Sequence, residues 1–262
     1  SYAEIVSTLE TTARNFRTYL AQCGNAIVEH ENEDEFLTDI FYTLLNRRTA
    51  VQVPLQERIQ DVLASYLARN DATALDKIPP AAFIIPPSLD LKHGRYLYMD
   101  GTYHAYLMIP ADGYRAQVTA GGMALLVNAG EGIDVDLFLE RQPKERMMQK
   151  IGQQIRINRS KIKDTSDTNS DFDDLSNAIR SGYYLKDGLA NNEDFYYAAI
   201  LVTVTAASVK DLEWRIGEIR KLMVSQDMNL QLCSFRQEAA FLSSLPQHSH
   251  VHRGQLLSIC QF

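Results

Sequence analysis

Nothing in this sequence is apolar for long enough to cross a bilayer. Its longest apolar stretch, near Tyr196 to Val202, falls far short of the ~20 residues a helical span needs. Cysteine is scarce: Cys23, Cys233 and Cys260 lie far apart with no C-x-x-C pair. That spacing points to free thiols in a reducing compartment rather than a disulfide framework. The opening SYAEIVSTLE has no basic region followed by an apolar run, so it is not a secretory signal. There is no G-x-S-x-G elbow and no cysteine near a histidine in a local catalytic signature. Gly121-Gly122 lacks the third glycine of a dinucleotide fingerprint, and G-x-x-x-x-G-K-[ST] occurs nowhere. A net charge of -7 removes the whole chain from the obvious nucleic-acid binders.

What is present is ordinary globular material. The 262 residues are 45% hydrophobic and 23% charged, enough for one large domain or two small ones. The first third reads as helices. Tyr2, Ile5, Leu9, Ala13, Phe16 and Leu20 make one stripe at helical spacing, with Gly24 as a C-terminal cap. A second helix is expected from the acidic run Glu33-Asp34-Glu35 through Leu45, and a third from Pro54 through Tyr66. The proline pairs Pro79-Pro80 and Pro86-Pro87 punctuate the next stretch, and a boundary is expected near Lys77, giving a helical subdomain over 1–77 and an α/β body over 78–262.

The body opens with a hairpin, Arg95–Met99 and Thr102–Ile109, around Asp100-Gly101. A short helix over Met123–Asn128, a strand IDVDLFLE and a long basic helix over Gln142–Lys163 follow. The acidic segment Asp164–Asp174 reads as a loop leading to a short helix around Leu175–Ile179. The last unit is a strand over Phe195–Thr205, a helix opened by a Ser208/Asp211 capping box, and a second strand through Met228, Leu230 and Leu232. That is a βαβ unit. The sum predicts an α+β fold, with one mixed sheet and helices mainly on one side.

Several clusters invite chemistry, and each has a plainer reading. His248, His250 and His252 would point one way on a strand and begin a zinc site, yet no cysteine or carboxylate lies close by to complete four ligands, and a polar surface loop after Leu245-Pro246 is the favoured reading. A calcium loop from Asp167 fails at Phe172, where glycine is needed, and at Ala178, where a bidentate glutamate is needed. Asp134 and Asp136 share a strand face and are able to hold magnesium only with a third placed carboxylate. Combined with the histidines, they would make a metal-dependent nuclease or phosphoesterase. The long helix carries Lys144, Arg146, Lys150, Arg156, Arg159, Lys161 and Lys163 against Glu145. It is either a solvated face or a surface for phosphates, anionic lipid heads or an acidic partner. In the hairpin, Tyr96, Tyr98, Ala105 and Leu107 share a side, and Leu97, Met99, Tyr106 and Met108 share the other. Both sides are apolar, so the second is either covered within the body or a partner-binding surface.

The order and spacing of several segments carry a family resemblance. Pro79–Leu91 (PPAAFIIPPSLDL), Tyr96–Ile109, Asn128–Arg156 and the run from Tyr183 to Pro246, closing in SFRQEAAFLSSLP, resemble the N-terminal domain of conjugation-type transfer ATPases of type IV secretion systems. The helices before Lys77 resemble those of a subset in mobile elements of Gram-positive bacteria. The tail from Gln247 onward departs from that pattern. The resemblance implies a non-catalytic docking and assembly domain of a hexameric cytoplasmic DNA-transfer ATPase, held at the inner face of the membrane by channel components. ATP and magnesium would belong to the motor half, whose Walker lysine and acid have no matching positions here. The surfaces to watch are therefore Leu97, Met99, Tyr106 and Met108 on the hairpin and Lys150, Arg156 and Arg159 on the basic helix. The start at Ser and the end at CQF fit a piece trimmed from a longer chain. Sequencing the native gene beyond Phe262 is expected to show G-x-x-x-x-G-K-[ST] a short linker and a strand further on; a stop codon there would contradict the resemblance.

Overall fold

The computed structural model describes residues 2–24, 37–69, 78–114, 123–164 and 170–246. The chain divides into two compact units, Ser1–Pro87 and Ser88–Phe262. The boundary expected near Lys77, a position outside the described residues, therefore falls later. The proline-flanked turn goes with the helices because Arg58 Nη2 donates to the carbonyls of Ala82 (3.2 Å) and Ile85 (3.0 Å).

In the first unit, helix α1 (Tyr2–Gln22) ends as its sequence demands. Gly24 takes a positive φ of 79° and its N–H reaches the Ala21 carbonyl at 3.0 Å. The acidic start of the second helix lies outside the described residues. From Leu37 the chain is helical, first as a π-helical turn (Leu37–Tyr42) and then as α2 (Thr43–Asn46). Pro54 caps α3 (Leu55–Ala68) rather than occupying its first turn. The intervening loop is closed by an amide: Asn46 accepts from the Val53 N–H at 3.0 Å and donates to the Val53 carbonyl at 2.9 Å. Tyr42 Oη donates to that same carbonyl, and its burial raises the phenol's pKa. A short helix α4 (Ala81–Ile84) completes the unit.

The second unit is built on a sheet of β1 (Leu89–Asp90), β2 (Leu97–Met99), β3 (Thr102–Met108), β4 (Ile133–Gln142), β5 (Phe195–Ala206) and β6 (Gln231–Leu232). Its main path runs β1-β2-β3-β5-β4, with β6 on the free edge of β3. The hairpin forms as expected. Asp100 and Gly101 have φ of 39° and 93°, the paired positive values of a tight two-residue turn, and Tyr98 faces Tyr103. The fold is α+β, but a mixed sheet is not what forms: every ladder among the described strands is antiparallel. The physical reason lies in the βαβ unit. Strands β5 and β6 run the same way, since each is antiparallel to β3, yet β3 stands between them and they never pair.

Helices pack on the sheet from sequence-legible stripes. Helix α5 (Ala124–Val127) contributes Leu126, and α8 (Val209–Val224) contributes Leu212, Ile216, Ile219 and Met223, to a core with Ala105, Leu107, Val202 and Val204. Ser208 caps α8: the Asp211 N–H donates to Ser208 Oγ at 3.1 Å, and the hydroxyl donates in turn to the Asp211 carboxylate at 2.8 Å, in place of the backbone bond that would complete a capping box. Helices α6 (Lys144–Asp164) and α7 (Ser170–Ala190) form a second layer as a helical hairpin, and α9 (Gln237–Ser243) closes the chain's described part. The acidic loop and short helix expected over Asp164–Ile179 are thus largely one long helix. Gly182 hid it, because glycine lowers helix propensity, yet here it lets α7 approach α6: a Cβ at this position would lie 2.8 Å from Ile155 Cγ1.

One side chain completes the free edge of β3. Strand β2 pairs with it only as far as His104, and β6 only from Leu107. Tyr106, fully buried, falls in the gap. Gln237 fills it: the Tyr106 N–H donates to Gln237 Oε1 at 2.9 Å, and Gln237 Nε2 donates to the carbonyls of Tyr106 (3.1 Å) and Cys233 (3.0 Å). The carboxamide supplies the acceptor for the Tyr106 N–H, and the Cys233 N–H joins it on the Tyr106 carbonyl at 2.9 Å. Replacing Gln237 with leucine removes the acceptor of a buried N–H, so Gln237→Leu should lower the unfolding free energy by about 1–3 kcal/mol in urea titration. An unchanged midpoint would show that the edge is satisfied another way.

Candidate functional site

The hairpin candidates are not a free surface. Leu97, Met99 and Tyr106 are 0% exposed and Met108 is 8% exposed. Their side of the sheet is covered in part by α9, where Phe241 meets the Tyr106 ring edge-on at 6.3 Å between centroids. His104 on the same side is also fully buried, held between Thr102 Oγ1 (2.8 Å) and Thr205 Oγ1 (3.0 Å). The second apolar face exists because it is core.

The described residues bear on only part of the metal readings. His248, His250 and His252, with Asp167 and Asn169, lie outside the described residues. Phe172 and Ala178 are in α7, so no twelve-residue calcium loop spans them. Asp134 and Asp136 stand opposite Thr203 and Leu201 on β5. Among the described residues, no group of three histidine, cysteine or carboxylate side chains is placed to hold a metal ion.

The basic helix divides its candidates between two flanks. Lys150 Nζ donates to Tyr197 Oη at 3.0 Å and lies 5.6 Å from that ring's centroid, so it is tied to β5. Arg156 and Arg159 face the other way. They line a groove of about 330 Å3 between α6 and α7, with Met148, Gln149, Gly152 and Ile155 from α6 and Tyr183 and Lys186 from α7. Gly152, Arg156 and Arg159 follow at intervals of four and three, which places them on one side of the helix. Arg159 Nη1 donates to Tyr183 Oη at 3.3 Å. The groove holds three cations and no carboxylate, and among the described residues no acid pairs with Arg156, Arg159 or Lys186.

The start of the hairpin is pinned by charge. Arg141 donates to Asp194 at 2.8 Å, and that hydrogen bond holds the Asp194 carboxyl below the usual carboxylate range. Lys144, the first residue of α6, donates to Asn192 at 2.7 Å and lies 3.7 Å from Asp194. The groove's second wall escaped sequence reasoning because α7 was read as a short helix. A signal was there: Leu175, Ile179, Gly182, Lys186 and Leu189 step by four and three and all face inward in part.

Apolar surface is also left open elsewhere. On β4 and β5, Leu137, Leu139 and Tyr196 lie beyond the buried core under α8 and are 55%, 61% and 48% exposed. Helix α1 buries none of its residues. Among the described residues no helix is long and apolar enough to cross a membrane.

The two hairpin glycines should respond oppositely to alanine. At Gly182 the new methyl collides with Ile155, an overpacking worth about 1–3 kcal/mol of destabilisation. At Gly152 the nearest atom is Lys186 Nζ at 3.7 Å, so the methyl fits. Alanine there should stabilise by up to about 1 kcal/mol through helix propensity. Thermal melts of the two variants check this; shifts of the same sign would contradict the packing described. No protein-family model matches the chain, and no curated protein matches it.

Proposed function

We propose that this chain is a non-catalytic docking and assembly domain of a conjugative DNA-transfer ATPase of the type IV secretion kind. In this reading it joins a motor, which binds ATP and magnesium, to channel components at the inner face of the bacterial membrane, and it contributes to a homo-oligomer. The observation that carries the reading is the uncovered stripe on α1. Tyr2, Ile5, Leu9 and Phe16 are 84%, 60%, 65% and 63% exposed on one side of a helix of 21 residues that buries nothing. An amphipathic helix gains most of its stability by covering its apolar face, so a stripe left bare in the single chain is suited to a partner. The exposed Leu137, Leu139 and Tyr196 add a second such face. The ordered segments quoted above supply the class of partner by resemblance.

The test uses the longer protein in a conjugating cell. Ile5→Asp with Leu9→Asp places charges on the α1 stripe without touching a buried residue. Co-purification with channel components and DNA transfer should each fall at least tenfold, roughly what loss of an interface anchor of 1–2 kcal/mol implies. ATP turnover by the isolated motor-containing protein should stay unchanged. Full transfer in that variant, or ATP hydrolysis by the purified 262-residue chain, would overturn the proposal.

A further inference from the structure

Strand β4 lies at the end of the sheet path, so β5 covers only one of its edges. Which backbone groups face the other edge follows from the register. The Thr205 N–H donates to the Gly132 carbonyl at 2.8 Å, just before β4 begins. In an antiparallel ladder the residues that exchange such bonds alternate. Asp134, Asp136, Phe138, Glu140 and Gln142 therefore turn their backbone groups to β5. Ile200 fixes the same phase: opposite Leu137, it bonds away from β4, to Tyr114 Oη (3.1 Å) and the Ile109 N–H (3.3 Å). Ile133, Val135, Leu137, Leu139 and Arg141 are left with N–H and carbonyl groups directed outward. Among the described residues no hydrogen bond reaches these backbone groups.

Proteins blunt a free edge with proline, lysine, a bulge or a cover. Strand β4 has neither proline nor lysine, and its pairing with β5 runs through all 10 residues without a bulge. Leu137 and Leu139 stand open beside the edge. A row of outward N–H and carbonyl groups at two-residue spacing matches the backbone of one more extended strand. Side chains select which strand. On the face of Leu137 and Leu139 an added residue meets aliphatic carbon; on the opposite face it meets Asp134, Asp136 and Glu140. Those carboxylates oppose a second copy of β4. The two registers that pair the full strand with itself set Asp134 against Glu140, or Asp136 against Glu140, on both sides of the two-fold axis, and like charges directly opposite destabilise. We infer that the outer edge of β4 captures an extended segment of a partner protein in which aliphatic residues alternate with lysine or arginine. The added strand runs antiparallel, like every ladder among the described strands. The inference deepens the docking proposal, on which its cellular setting rests, while the contact itself is testable on the purified chain.

Fluorescence anisotropy with a short labelled peptide alternating lysine and valine provides the test. The peptide should bind the purified chain, and the matching glutamate–valine peptide should not. With its valines set against Leu137 and Leu139, the valine N–H groups face β4 and the lysine N–H groups face solvent. N-methylation at the valines should therefore weaken binding by about tenfold or more, whereas N-methylation at the lysines should leave it unchanged. Leu139→Pro removes an outward N–H but no ladder bond, so this variant should fold and lose the peptide. Asp134→Lys with Glu140→Lys should reverse the preference, towards the glutamate–valine peptide. Circular dichroism melts check the folding of both variants; should Leu139→Pro melt early, the charge reversal and the methylated peptides still decide. Equal binding of the two peptides, full binding after methylation at the valines, or a dimer of the chain that excludes the peptide and dissolves in Leu139→Pro would each overturn the inference. Failure to bind the peptide with intact partner capture in cells would remove the strand site and leave the docking proposal standing. Peptide binding without partner capture would do the reverse.

Discussion

The second unit depends on how one buried backbone position, Tyr106, is satisfied. A central strand needs partners on both edges, because an unpaired N–H or carbonyl in a dry interior is costly. On one edge β3 is paired by β5 through six residues, Tyr103 to Met108. On the other edge two short strands approach from opposite ends and leave a gap, which the Gln237 carboxamide closes together with the Cys233 N–H. That contact spans 131 positions of sequence. It ties the last described helix to the first hairpin and thereby fixes α9 over Tyr106. Asn46 uses the same chemistry at Val53 in the first unit. In both places a side-chain amide does locally what a strand would do by continuing.

From that arrangement the open surfaces follow. With α9 on one side and α5 and α8 on the other, both faces of the β2–β3 hairpin become core. Strand β4 and the far end of β5 extend beyond this cover, which leaves Leu137, Leu139 and Tyr196 open and gives the α6–α7 hairpin its footing through Tyr197, Lys150 and Met147. The side of α6 turned away from Tyr197 then carries the cationic groove. The chain carries a net charge of -7, and this groove holds three cations and no carboxylate against that background.

Local rules read well in this sequence, and long-range ones did not. Asp100-Gly101, the Ser208 cap, Gly24 and the α8 stripe are each decided by a few neighbouring residues, and each formed. The α+β class followed from their order. The antiparallel character of the sheet was not legible, because insertion of β3 between β5 and β6 depends on residues a hundred positions apart. Burial of Leu97, Met99, Tyr106 and Met108 depended on α9 in the same way. The groove was half legible: charge spacing marked Arg156 and Arg159, but Gly182 disguised the helix that brings Tyr183 and Lys186 to them.

A domain that works by docking should meet its partners through α1 and the open Leu137–Leu139 face while its core stays closed. Site-specific photocrosslinking in conjugating cells measures this directly, with the crosslinking residue placed in turn at Leu9, at Leu139 and at buried Leu107. Leu9 and Leu139 are expected to crosslink to other proteins, with a channel component at Leu9, and Leu107 only within its own chain. Crosslinks at none of the surface positions, in cells that transfer DNA normally, would contradict a docking role for this chain.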